Sequence, residues 1–331
     1  MIKVITIFFV ILILSLSAFF YSQNQSNVIT DNIEILAGSK SKQSTEPHPE
    51  LSLQAFAQRE FDGRDLALGR VLDDNLAYTR YYITYKSGEL TISGIMNVPK
   101  GGGPFPVLIL NHGYIDPVIY TNGRGLKREQ DYFARRGYVV IHPDYRNHAD
   151  STKVDNVEER FRLGYAEDVI NAIYAVRESE FGFFDKENIG MMGHSMGGGV
   201  ALNIITTHPD LVKAVSLYAP VSSDTWDNFQ KWTRSRTETA QMILETHGGP
   251  EENPKFWHDI SPINFLENIK AAVVLHHGTA DESVPIEWSD KLVEKKGDIL
   301  YYVYQNGAHE FGSHWPLFMQ RNVEFFDTYL R

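Results

Sequence analysis

Residues 188–198 read Asn188-Ile189-Gly190-Met191-Met192-Gly193-His194-Ser195-Met196-Gly197-Gly198. The apolar run Ile189 to Met192 predicts a short buried strand, and Met196 to Thr207 predicts a helix that stops before His208-Pro209. Ser195 then sits on a tight strand-to-helix turn, the layout of a nucleophile elbow. Gly193 and Gly197 let strand and helix approach closely around a strained serine backbone. A serine hydroxyl is a weak nucleophile by itself, so this layout calls for a base, an acid that orients the base, and donors for an oxyanion. Serine between glycines also caps ordinary helices, so the rest of the chain has to decide between the two readings.

Two other loops decide it. Asp281 stands in His277-Gly278-Thr279-Ala280-Asp281, just beyond the apolar run Ala271 to His276. His309 stands in Gly307-Ala308-His309-Glu310-Phe311, just beyond the run Ile299 to Tyr304. The chain order is therefore Ser, Asp, His, with all three residues on loops that follow strands. In this reading His309 takes the Ser195 proton and returns it to the leaving group, while Asp281 holds the imidazole tautomer. Glu282 and Asp290 are rival acids and His314 a rival base; Asp290 is expected on a solvated helix and His314 at the start of the last helix. The oxyanion donors are expected to be the backbone N–H of Met196 and that of Tyr114, in Asn111-His112-Gly113-Tyr114 after the strand Val107 to Asn111. His112 is expected to brace this loop, and Asp144 and Arg146 to pair with each other in the loop after Tyr138 to His142.

Apolar strands alternate with helices at Gly125–Arg136, Tyr165–Glu178, Met196–Thr207 and Leu317–Leu330. Such alternation predicts an α/β fold with a mostly parallel central sheet and helices on both faces, with ligands at the carboxyl edge. Tyr81–Tyr85 and Leu90–Val98 alternate as strands around a turn at Lys86-Ser87-Gly88. Residues 221–270 are too long for a simple crossover and carry Trp226, Phe229 and Trp232. They are expected to form a small helical cap over the site.

Composition narrows the partners. The 331 residues carry a net charge of −11, which argues against nucleic acid as a partner. Cysteine is absent, which excludes disulfides, thiol catalysis and cysteine-held zinc. The neighbours His276 and His277 face opposite sides of a strand, so no metal is expected, nor any cofactor. Residues 1–22 pair Lys3 with a long apolar run and read as a signal peptide or an N-terminal membrane anchor. That places the rest outside the cytoplasm, secreted or membrane-attached. Residues 23–50 read as a flexible linker, most clearly the polar stretch Gly38 to Glu50, and residues 51–331 as the folded domain. Oligomeric state is not legible.

Asp185-Lys186-Glu187-Asn188-Ile189-Gly190, Ser261-Pro262-Ile263 and His277-Gly278-Thr279-Ala280-Asp281-Glu282-Ser283-Val284-Pro285 carry a resemblance. From about Tyr81 to Arg331 the chain resembles the α/β-hydrolase superfamily, and its carboxyl half resembles the catalytic domain of the prolyl oligopeptidase family. The resemblance implies that Ser195, Asp281 and His309 form the triad of a serine hydrolase. Two features depart from that family. The region before the first hydrolase strand is too short for the family's β-propeller, and Met196 stands where the family usually has Tyr. The Gly193–Gly198 stretch is more similar to esterases and lipases, and His112-Gly113-Tyr114 is similar to the oxyanion loop of acetyl esterases. The expected substrate is a small ester or a short peptide; a carboxylesterase without peptidase activity is the alternative. A non-catalytic binding protein on a hydrolase fold would have lost a triad member or an elbow glycine, and all are present.

Overall fold

A computed structural model describes residues 49–331. The signal or anchor reading of residues 1–22 lies outside the described residues. So does the linker reading, except that Pro49–Leu51 forms a short 3-10 helix with Leu51 buried. No helix of the described residues is long and apolar enough to cross a membrane.

Nine strands form one sheet: β1 (Arg64–Asp74), β2 (Tyr78–Ser87), β3 (Leu90–Pro99), β4 (Phe105–Asn111), β5 (Val139–Pro143), β6 (Phe184–His194), β7 (Ala214–Tyr218), β8 (Ala272–Gly278) and β9 (Leu300–Tyr304). Their spatial order is β1-β2-β3-β5-β4-β6-β7-β8-β9. The first three strands run antiparallel to their neighbours, and β5 through β9 form the parallel part. The helices are α1 (Leu53–Ala57), α2 (Lys127–Ala134), α3 (Leu163–Glu178), α4 (Met196–Thr207), α5 (Thr225–Asn228), α6 (Thr237–His247), α7 (Pro254–Asp259), α8 (Ile286–Lys295) and α9 (Trp315–Leu330).

Successive side chains along the central strands point to opposite faces, and both faces are apolar. Val107 and Ile109 join one core with α1, α3 and α4. Leu108 and Leu110 join a second with Phe133 of α2 and with Phe318, Phe326 and Leu330 of α9. Phe318 and Phe326 are fully buried, and burial of a side chain of that size contributes about 1.5–3 kcal/mol. The expected mostly parallel sheet with helices on both faces is the architecture found.

Local differences have physical causes. The β2–β3 turn falls on Gly88-Glu89, one residue later than the sequence suggests, where Gly88 takes φ +56°. Strand β1 was not anticipated: it lies at the sheet edge, is mostly exposed, and its pairing with β2 is broken by irregularities. An edge strand of that kind carries little of the alternation that marks half-buried strands.

Candidate active site

β6 delivers Ser195 and α4 departs from it at once. Ser195 has φ 54° and ψ −118°, a backbone that L residues seldom adopt, and its N–H donates to the Tyr218 carbonyl at 2.9 Å. Gly193 and Gly197 are obligatory: a Cβ on Gly193 would run into the Gly197 carbonyl, and one on Gly197 into the Asn111 carbonyl. The strand, the helix and the β4 loop therefore meet at contact distance around the serine.

Asp281 and His309 come together beside it. His309 Nδ1 donates to Asp281 Oδ2 at 2.7 Å. The other carboxylate oxygen, Oδ1, accepts the Ser283 N–H at 2.8 Å and the Val284 N–H at 2.9 Å. His277 adds a second imidazole, its Nε2 3.2 Å from Asp281 Oδ2 and 3.1 Å from the Val284 carbonyl. Both neighbours are acceptors, so Nε2 carries the proton, and Nδ1 accepts from the Ser289 hydroxyl at 2.6 Å. Burial opposes the Asp281 charge, yet hydrogen bonds from His277, His309 and the Val284 amide hold its carboxyl well below the usual carboxylate range. His277 was not anticipated in this role; its position on a buried strand next to His276 gave no sign of it.

Ser195 and His309 line one cavity of about 550 Å³ with Tyr114, Met196 and Tyr218. Among the described residues the Ser195 hydroxyl forms no hydrogen bond with the imidazole, a contact that commonly tightens only with substrate. Gly113 brings the β4 loop against Ser195, since a Cβ there would lie 3.2 Å from Ser195 Cβ. Tyr114 and Met196 thus flank Ser195, their backbone N–H groups unclaimed by the hydrogen bonds of the described residues. Behind them His112 bonds the Gly113 carbonyl through Nδ1 at 2.7 Å and stacks between Tyr120 and Tyr145, as a brace would. Burial depresses its pKa to about 3, so the ring is neutral. His194, also lowered to about 3 by burial, packs its ring 4.6 Å from that of His309.

Of the rivals, Glu282 is exposed, and the other two are engaged elsewhere. Asp290 of α8 accepts from the Tyr301 hydroxyl of β9 at 2.9 Å, and His314, just before α9, bonds the Gln305 carbonyl. Asp144 and Arg146 do not pair with each other. Tyr145 between them has φ 62°, which turns the chain so that the two side chains diverge. Asp144 accepts from Ser93, Tyr120, Asn122 and the Gly123 N–H, whereas Arg146 makes a bidentate bond to buried Asp168 of α3.

Of residues 221–270, Val221, Trp232 and Arg236 line the cavity. Trp226 and Phe229 do not line it: they stack on each other and pack with Trp257, Phe256 and Leu51 in a small separate core. A short insertion far from the main sheet has to bury its own aromatics to hold a shape. Arg162, Arg236, Glu129 and Glu310 also line the cavity, and nothing in their local sequence announced it. No cluster of residues suited to a metal occurs among the described residues.

The chain is 28% identical over 180 residues to dipeptidyl peptidase family member 2 of Caenorhabditis elegans, covering 53% of this chain but only 19% of that much longer protein. It is 26% identical over 217 residues to the uncharacterized peptidase YtmA of Bacillus subtilis (strain 168), covering 65% of this chain and 78% of the relative. In structure it is similar to an acetyl xylan esterase from Paenibacillus sp. R4, with a TM-score of 0.65 at 18% identity, over 88% of this chain and 97% of the esterase. The family model for the prolyl oligopeptidase family matches residues 124–331, a span that includes the elbow, Asp281 and His309, and the chain belongs to that family.

Proposed function

We propose that the protein is a serine hydrolase that cleaves a carboxylic ester or a peptide bond through an acyl-enzyme, with Ser195 as nucleophile, His309 as base and Asp281 as its orienting acid. The observation that carries this reading is the 2.7 Å Asp281–His309 bond opening onto the same cavity as a serine held at φ 54°. Ser195 Oγ attacks the carbonyl carbon while His309 Nε2 takes its proton. The carbonyl oxygen becomes an oxyanion between the Tyr114 and Met196 N–H groups. Collapse breaks the bond to the leaving group, which takes the proton from His309. Water then repeats the sequence on the acyl-enzyme, releasing the acid and restoring Ser195.

A fluorophosphonate probe tests the nucleophile: it labels the wild type and fails to label Ser195→Ala. Equal labelling of both would remove Ser195 from the mechanism. Ester and peptide cleavage differ in the demand on His309, since an amine leaves only when protonated, whereas an alcohol leaves more readily. Likeness to an esterase fold over nearly its whole length favours ester substrates; kinship with peptidases favours short peptides. Rates on a matched ester and amide separate the two, and a preference for proline-containing amides would establish the peptidase. The apolar segment within residues 1–22 would carry the domain out of the cytoplasm, cleaved or kept as an anchor. N-terminal sequencing of the protein recovered from fractionated cells checks that.

A further inference from the structure

The whole protein carries a charge of −11, yet one wall of the catalytic cavity is cationic. Arg162 and Arg236 both line it. Their guanidinium groups lie 5.2 and 5.8 Å from the ring centre of Tyr114. One carboxylate, Glu158, serves both: Arg162 grips it through Nε and Nη2, and Arg236 Nη1 stands 3.5 Å from the same oxygen. Two positive charges against one negative leave this wall with an excess of one positive charge. The other lysine, arginine and glutamate residues of the cavity, Lys127, Arg128, Glu129 and Glu310, balance in formal charge.

Arg162 has a donor to spare. Its Nη1 points at the Met196 sulfur at 3.3 Å, and a thioether is a poor acceptor for a guanidinium N–H. The arginine is also held deliberately. Phe161 and Arg162 are consecutive residues with φ 50° and 56°, a costly pair of left-handed conformations for side-chain-bearing residues. Phe161 is locked into the aromatic core of the cap, 5.7 Å from Phe256 and 5.6 Å from Trp257 between ring centres. Strain accepted in order to aim a charged group into a reaction cavity marks a binding element.

We infer that Arg162 and Arg236 form an anion subsite, and that the substrate carries a carboxylate on its acyl portion. The side follows from the roles already assigned, so the inference rests on the proposed hydrolase reading. His309 must stand by the leaving group to protonate it. Arg162 instead touches Met196, and both guanidiniums lie by the Tyr114 ring, so the pair gathers at the two residues whose N–H groups are assigned to the oxyanion rather than at His309. A planar guanidinium pair suits a carboxylate, which takes two parallel N–H donors. Glu158 becomes the shared counter-charge that keeps the pair poised when no substrate is bound.

The test uses the 4-nitrophenyl hemiester of glutaric acid against neutral 4-nitrophenyl butyrate. Wild type should favour the anionic ester in kcat/KM by at least tenfold, and Arg236→Gln should collapse that ratio towards one, with Arg236→Lys restoring part of it. In parallel, Ser195→Ala protein, which turns nothing over, is titrated with glutarate by calorimetry, alone and combined with Arg236→Gln. Saturable binding that weakens about tenfold in the double variant supports the subsite even if neither ester is hydrolysed, a result that would instead count against the hydrolase reading. An unchanged ratio in Arg236→Gln, or glutarate binding indifferent to Arg236, overturns the inference. Loss of labelling by fluorophosphonate in Arg236→Gln would show misfolding, and Arg162→Gln then replaces it under the same criteria.

Discussion

Replacing Asp281 by Asn cancels one charge and turns one acceptor oxygen into a donor. All four groups around the carboxylate are donors: two amides on Oδ1, His309 and His277 on Oδ2. The new NH2 must therefore face one pair or the other. With its oxygen kept on the amides, the NH2 confronts His309 Nδ1. The imidazole then puts its proton on Nε2 and can no longer accept one from Ser195. The wrong tautomer in a serine triad costs on the order of 10⁴ in kcat, about 5.4 kcal/mol of barrier. With the amide turned round, the Ser283 and Val284 N–H groups lose their acceptor; the Ser283 group can turn to water, whereas the orphaned Val284 N–H costs about 1–3 kcal/mol of stability. The assay pairs kcat on 4-nitrophenyl acetate with a thermal melt of the same sample. The expected variant is folded, somewhat less stable, and slower by three to four orders of magnitude. Activity within tenfold of wild type in a folded variant would mean that another acid orients His309, and the assignment of Asp281 would be wrong.

Three further outcomes follow from the packing. Gly197→Ala should lower the urea midpoint by an amount equivalent to about 3 kcal/mol and abolish fluorophosphonate labelling, because its Cβ meets the Asn111 carbonyl; a normal midpoint would show the elbow to be looser than described. Asp144→Asn should destabilise by about 2–4 kcal/mol in urea unfolding, since two of the four donors converging on the carboxylate lose their acceptor; a change under 1 kcal/mol contradicts that network. Burial lowers His112, His194 and His276 each to about 3. They stay neutral in the fold while the unfolded chain protonates them below about 6.5, so stability falls as pH drops from there towards 3, each contributing up to about 1.4 kcal/mol per pH unit. Urea midpoints that stay flat from pH 6 to pH 4 would contradict it.

The parts of the molecule legible in the sequence are those governed by local pattern. β4, β5, β6 and α4 are short runs whose periodicity needs no distant partner to be read. Ser195, Asp281 and His309 could be placed on one edge because parallel strands put their following loops there. What escaped was set by long-range geometry. β1 is an exposed edge strand whose only strong signal is its partner β2. Asp144 and Arg146 are two residues apart, and a positive φ at Tyr145 sends them to different partners. Trp226 and Phe229 stack on each other in the small core of the insertion, and of the three aromatics only Trp232 lines the cavity, a division that depends on Trp257, Phe256 and Leu51 arriving from elsewhere in the chain. Arg162 and Arg236 are 74 positions apart by number, and only the folded cap brings them to the same tyrosine.

Leu51, at the entrance to the domain, is buried in the cap core beside Phe256 and Ile260. The start of the domain is thereby pinned to the segment that presents Trp232 and Arg236 to the nucleophile. A recombinant domain trimmed beyond this leucine would keep Ser195, Asp281 and His309 and still lose the plug of this small core. Its fault would show as altered selectivity rather than as lost chemistry. Mechanical load arriving along the chain from the N-terminal side would reach the same hydrophobic plug before it reached the sheet.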